Sequence, residues 1–211
     1  MYVPPAFAET ELTPLHAFID AHPFALLITA DGAGGAPLAT PLPLIVAAAE
    51  GENGTLYGHF AKANPHGEQI FKSPSRAVFQ GADAYISPGW YPSKQAHGKA
   101  VPTWNYSAVD VVGQAEPITE PDAMRALLSQ LTAKFEAHRA EPWSLTDAPE
   151  AYIAAMLKGI TAFKLPIAAI VGKIKLSQNR PPEDIAGVIA GLRGEGMPQA
   201  EAVADAMAKM L

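Results

Sequence analysis

Gly81-Ala82-Asp83-Ala84-Tyr85-Ile86-Ser87-Pro88-Gly89-Trp90-Tyr91-Pro92-Ser93-Lys94 and, a few residues on, Val101-Pro102-Thr103-Trp104-Asn105-Tyr106 form the densest unusual stretch of the chain. Five of the 17 aromatic residues fall between positions 85 and 106, where an even spread would place about two. Tyr and Trp interleaved with Ser, Thr, Asn and Lys make a flat, partly apolar surface that donates hydrogen bonds. Such a surface suits a planar ligand with an anionic tail or a subunit interface, and the two uses are compatible. It equally suits a long loop pinned onto a barrel by its rings. Residues 81–106 are read as extended loop and strand, between a strand over 76–80 and a long strand over 106–117. In the latter Val109 and Val111 alternate with Ala108 and Asp110.

Working towards the N-terminus, Asn64-Pro65 opens a short helix with Ile70 and Phe71 facing inward, and residues 55–60 read as a strand. Residues 24–30 and 37–46 read as a hairpin around the turn Asp31-Gly32-Ala33-Gly34-Gly35, which has neither the Lys nor the helix of a phosphate-cradling loop. Thr13-Pro14 predicts a capped helix with Leu15, Phe18 and Ile19 on one face, ending at His22-Pro23. Towards the C-terminus, Thr119-Glu120-Pro121-Asp122 has the form of a capping box before an apolar stripe of Met124, Leu127, Leu128, Leu131 and Phe135. Asp147-Ala148-Pro149-Glu150 repeats the device, with Tyr152, Ile153, Met156, Leu157 and Ile160 as the apolar face. Residues 162–176 return to strand character until Arg180-Pro181-Pro182, and helices follow over 183–192 and 198–210. Short antiparallel strands with helices inserted late predict a mainly-β, α+β barrel with peripheral helices. The expected organisation is a barrel over 1–180 with inserted helices at 119–160, and a helical tail over 181–211.

The bulk composition agrees with this. Twenty prolines and 17 glycines in 211 residues are more than a helical bundle tolerates. Cysteine is absent, so there is no disulfide framework, thiolate nucleophile or sulfur-based zinc site. No stretch approaches the roughly 20 apolar residues of a membrane span, and Met1-Tyr2-Val3-Pro4-Pro5 lacks the pattern of a secretion signal, so a cytoplasmic location is expected. A net charge of −6 argues against broad attraction to nucleic acid, which depends on Lys and Arg displacing counterions.

Four segments in order, GHFAKANP at 58–65, GADAYISPGWYPSK at 81–94, GKAVPTWNY at 98–106 and GKIKLSQNRP at 172–181, carry a resemblance to the PaiB family of FMN-binding negative transcriptional regulators, extending from Met1 to about Leu192. The resemblance implies a split β-barrel of antiparallel strands, pyridoxamine-phosphate-oxidase-like, that forms a homodimer with FMN in a groove between subunits. An FMN phosphate carries close to two negative charges and calls for a cation with hydroxyl or amide donors. Lys62 and Asn64 meet that demand, although Asn64 is also placed to cap the helix after it. Thr40, Pro41 and Leu42, followed by Pro43, are candidates for the isoalloxazine wall and read equally as a plain edge strand. Trp104 and Asn105 belong to the aromatic stretch. Lys173, Lys175, Ser177, Gln178 and Asn179 are candidates for the pyrimidine edge of the flavin, where a cation stabilises the anionic reduced form, or are a solvated strand end. His59 lies among the motif residues as a candidate haem ligand or proton donor, while His66 and His97 are assigned to polar turns.

No Ser-His-Asp order, paired catalytic carboxylates or His-x-x-x-His spacing is present, so hydrolysis has no physical basis in these residues. A flavin brings its own reactive atoms, which leaves open a flavin-dependent oxidoreductase and a haem-utilisation relative beside the regulator. DNA contact is implied by the family alone. Residues 180–211 oppose Arg180, Arg193 and Lys209 to Glu183, Asp184, Glu195, Glu201 and Asp205, a poor balance for reading DNA.

Overall fold

Phe24-Ala25-Leu26-Leu27-Ile28-Thr29 buries every second residue, Ala25, Leu27 and Thr29, which is the period of a strand with one face in the core. The same logic generates β1 (Ala8–Glu9), β2 (Phe24–Thr29), β3 (Leu38–Pro43), β4 (Ile45–Ala47), β5 (Thr55–Ala61), β6 (Ser75–Ile86), β7 (Thr103–Gly113), β8 (Glu116–Ile118) and β9 (Ile160–Lys175). The helices are α1 (Leu12–Ala21), α2 (His66–Gln69), α3 (Pro121–Glu136), α4 (Glu150–Leu157), α5 (Pro182–Gly194) and α6 (Pro198–Ala208). The structure, a computed structural model, describes residues 1–32, 34–94 and 98–211. Ala33 of the expected hairpin turn and His97 of the expected polar turn lie outside the described residues. Hydrogen-bonded neighbours follow the order β3-β2-β6-β7-β9-β5-β4, and β1 and β8 both add to β9. The fold is the antiparallel split barrel with helices that the sequence implied. Among the described residues no helix is long and apolar enough to cross a membrane.

The chain packs as two compact units, one of Ile19–Phe79 with Val111–Ile170, the other of Met1–Phe18, Gln80–Asp110 and Val171–Leu211. In the former, the apolar stripe of α3 buries Leu127 and Leu131 against Ala162, with Tyr57 and Ile118 packed around them. The single strand expected over 37–46 is two. Pro43 has no N–H to continue the ladder, and the N–H of buried Leu44 turns to the Pro23 carbonyl at 2.8 Å. β3 therefore pairs with β2, and β4 with β5. The expected caps also differ. α3 starts at Pro121, one residue too late for Thr119 to cap it, and Asp147 closes a capping box with Ser144 on the preceding turn rather than capping α4. Tyr152 and Met156 of α4 are exposed, while Ile153 and Leu157 of its expected stripe are buried and Ile160, already the first residue of β9, packs against them.

The other unit corrects the reading of residues 81–106. β6 runs on through Gly81 to Ile86, although Gly, Ala and Asp are poor strand formers, because Ala84 and Ile86 drop into a core with Val188, Leu192, Val203 and Met207. β7 begins at Thr103 and stops at Gly113, and Pro117 belongs to a separate strand, β8. Trp90 sits on the face of α5 that carries Gly187 and Gly191, where a methyl group at Gly191 would overlap the indole. Part of the aromatic surplus therefore docks a helix. α1 begins at Leu12 rather than after a Thr13 cap, the first carbonyl of its ladder being that of Glu11.

Candidate functional site

In the unit built on residues 19–79 and 111–170, a polar chain crosses the core beneath the turn after β5. The Asn64 N–H donates to the Ala61 carbonyl at 2.8 Å, and the Asn64 side-chain oxygen accepts the His66 N–H at 3.0 Å from one residue before Pro65, which holds the N-cap position of α2. His66, assigned from sequence to a polar turn, is only 1% exposed. Its Nδ1 lies 2.8 Å from Thr40 Oγ1 and its Nε2 2.7 Å from Thr29 Oγ1, and Thr29 meets Ser75 Oγ at 2.7 Å. Asn64 Nδ2 donates to Thr40 Oγ1 at 3.4 Å. Burial lowers the His66 pKa, so the ring is held neutral. A neutral ring satisfies every partner in one direction: Asn64 to Thr40, Thr40 to Nδ1, Nε2–H to Thr29, and Thr29 to Ser75.

This arrangement places the first group of expected residues. Thr40 and Leu42 stand opposite buried Leu27 and Ala25 and share their inward face, whereas Pro41 stands opposite Leu26 on the outward one. That outward face is apolar, with Phe24 67% and Leu26 41% exposed, and β3 ends the strand order, which makes it an edge. Lys62 is exposed, and among the described residues no carboxylate pairs with its ammonium group. It also reaches a cavity of about 740 Å³ walled by Ile118, Met124, Leu157 and Ile160, at whose rim Arg125 pairs with Glu150. His59 points away from Gly58 and Phe60, its Nδ1 is buried without a partner, and burial lowers its pKa. Thr29, His66 and Ser75 escaped the sequence reading. The one signal for Thr29 and Ser75 is a hydroxyl residue on the inward period of a strand, and only the antiparallel register sets them opposite each other; His66 carries no such signal.

The second group belongs to the other unit. Trp104 is exposed and meets Tyr85 edge-on at 6.2 Å. Asn105 is fully buried, its amide donating to Ser177 Oγ at 2.9 Å and to Met207 Sδ at 3.4 Å. Ser177 holds a left-handed backbone, φ 65°, uncommon for a residue with a side chain. Lys173 donates to the Tyr2 carbonyl and lies 5.3 Å from the centre of the Tyr106 ring. Lys175 donates to Thr103 Oγ1 at 2.7 Å and to the Trp104 carbonyl. Burial, reinforced by Lys173 and Arg180, lowers its pKa. Gln178 is used locally, accepting the Leu176 N–H and donating to the Ile174 carbonyl, while Asn179 is exposed.

A family model described as "Putative FMN-binding domain" matches residues 1–169. The protease synthase and sporulation protein PAI 2 of Bacillus subtilis (strain 168) is 34% identical over 208 residues, which cover 98% of this chain and 96% of that protein. Among solved structures, the FAD and heme binding protein from Mycobacterium smegmatis is similar with a TM-score of 0.61 and 20% identity, over 85% of this chain and 78% of that one. The flavocytochrome Anf3 from Azotobacter vinelandii matches with a TM-score of 0.58 and 17% identity, over 85% and 75% of the two chains. At these identities the two structures demonstrate a shared fold.

Proposed function

The chain belongs to the PaiB family of FMN-binding proteins, and from that premise we propose that it binds FMN as a homodimer, with the flavin phosphate on Lys62 and Asn64 and the ring against the outward face of the β2–β3 edge. One observation carries this reading: the turn that holds exposed Lys62, with which no carboxylate pairs among the described residues, is tied through Asn64 to β3, an edge strand. Asn64 donates to Thr40, which ties the Lys62–Asn64 turn to β3, and Pro41, Leu26 and Phe24 share the outward apolar face of that edge. The residues fit the group, since a phosphate takes a cation and amide donors while an isoalloxazine takes a flat apolar wall. Bound there, FMN would supply the redox chemistry, and the protein would hold and orient it. The same face on a second copy gives the self-complementary contact of a two-fold dimer and closes the groove.

The test is the visible spectrum of the purified protein with and without added FMN. Flavin absorbance and quenched fluorescence on uptake are expected. Lys62→Ala weakens uptake by about tenfold or more, the worth of a charge-assisted hydrogen bond, and leaves the fold intact. Protein that ignores FMN at high micromolar concentration overturns the proposal.

A haem reading has one observation behind it. His59 keeps a buried Nδ1 without a partner, and the structurally similar M. smegmatis protein is an FAD and heme binding protein. A Soret band lost in His59→Ala would establish it. Transcriptional regulation from the cytoplasm rests on the family resemblance. Retention of a specific promoter fragment by the purified dimer is the measurement that decides it.

A further inference from the structure

We infer that the small pocket between the Thr103 end of β7 and the turn after β9, in the unit of residues 1–18, 80–110 and 171–211, is a binding site for a compact oxyanion, the carboxylate or phosphate group of a small molecule. Its volume is about 240 Å³, below the roughly 300–1,000 Å³ of sites that enclose drug-sized ligands. Its polar lining is Tyr91, Thr103, Asn105, Lys175, Ser177, Asn179 and Arg180, with no carboxylate among the described residues.

Three features mark a built site rather than a surface dimple. The first is an orphan donor. Tyr91 is 2% exposed, and its hydroxyl is buried without a hydrogen-bond partner, a state that folded proteins rarely tolerate unless something fills it. The second is charge. Lys175 lies within the fields of Lys173 and Arg180, which together with burial disfavour its protonation, and an anion would relieve that repulsion. The Arg180 guanidinium lies 4.8 Å from the centre of the Tyr91 ring, and among the described residues it has no ion-pair partner, which leaves its donors available for a two-pronged contact. The third is rigidity. Asn105 and Ser177 hydrogen-bond each other in the buried wall, and Ser177 does so from a left-handed backbone, the kind of local strain that clusters at ligand sites. Lys175 is anchored by Thr103, so the walls are set before a ligand arrives.

The test is calorimetric titration of the full chain with inorganic phosphate, acetate and succinate at constant ionic strength. Saturable binding of at least one is expected, and the three titrations separate a phosphate site from a carboxylate site. Arg180→Gln weakens it about 10- to 100-fold, the range for a hydrogen bond to a charged group. Tyr91→Phe keeps the ring in its core and isolates the hydroxyl, at a cost of about tenfold. Should Arg180→Gln fail to fold, the wild-type protein still answers, because the Arg180 side-chain and Ser177 amide resonances shift on titration. Absence of saturable binding, or equal binding by Arg180→Gln and Tyr91→Phe, overturns the inference. Displacement of phosphate by FMN but not by riboflavin also overturns it, by assigning the pocket to the phosphate of the flavin itself.

Discussion

Replacing His66 with alanine removes the middle of the polar chain under the Lys62–Asn64 turn. Thr29 retains Ser75 at 2.7 Å, but Thr40 is left with the long 3.4 Å contact from Asn64. A buried hydroxyl short of its partner costs about 1–3 kcal/mol. The lost ring also vacates space beside Phe60, whose ring centre lies 5.0 Å away, and the total comes to about 2–4 kcal/mol. For a chain of this length that lowers the melting temperature by roughly 5–15 °C. His66→Asn keeps an amide near the position of Nδ1 and recovers part of the loss. Acid sensitivity supplies a second signature. The folded pKa of His66 lies below 6.5, so the unfolded chain takes up the proton first, and stability present above pH 6.5 declines as the pH falls through the window below it. His22 and His59 are lowered in the same direction, so His66→Ala flattens this slope without abolishing it. Thermal unfolding of both proteins between pH 5 and 8 measures both effects. A variant within about 0.5 kcal/mol of wild type, the range of an ordinary surface substitution, with an unchanged pH slope would refute the account.

Two further substitutions probe the remaining claims. Phe24→Asp places a charge in each half of the proposed two-fold contact, and loss of two buried rings at about 1.5–3 kcal/mol each weakens the dimer by a hundredfold or more in light scattering across a dilution series; a wild-type protein that is monomeric at micromolar concentration refutes that contact. Gly191→Ala would stabilise an exposed helix by about 1 kcal/mol through propensity, but its methyl group meets the Trp90 indole, so the sign reverses to a loss of about 1–3 kcal/mol with a shift in tryptophan emission. Combination with Trp90→Ala removes most of the penalty, and a stabilised Gly191→Ala single variant would show that the indole is not packed there.

Strands with clean alternation, such as 24–30 and 55–60, and the Leu127–Leu131 stripe of α3 were legible because a single period governs them. Boundaries set by tertiary contacts were not. The continuation of β6 through Gly81-Ala82-Asp83 depends on Ala84 and Ile86 finding α5 and α6, a hundred residues downstream. The break at Leu44 depends on the Pro23 carbonyl. Cap positions failed by one or two residues, since Pro121 and Pro149 mark helix starts in sequence without showing which side chain closes the turn. In the candidate sites, charge was visible and burial was not. Lys62 and Lys175 could be chosen by type, whereas the difference between His66 in a core and a histidine on a turn lies in tertiary contacts, with Phe60 against its ring and Thr29 and Thr40 on its nitrogens. Tyr91 shows the same limit: its sequence neighbours give no sign that its hydroxyl is enclosed without a partner.

The prolines of β3 have a consequence beyond ligand and dimer. An unprotected sheet edge is a template on which any extended chain can add a strand, and such growth leads to fibrils and inclusion bodies. Pro41 and Pro43 remove two of the edge's donors, so a stray segment finds an interrupted ladder. Phe24 and Leu26 present their side chains from the sheet face, a contact that chooses its partner by shape rather than by backbone pairing. In the proposed dimer, this surface would therefore pair with a second copy without becoming a seed for aggregation.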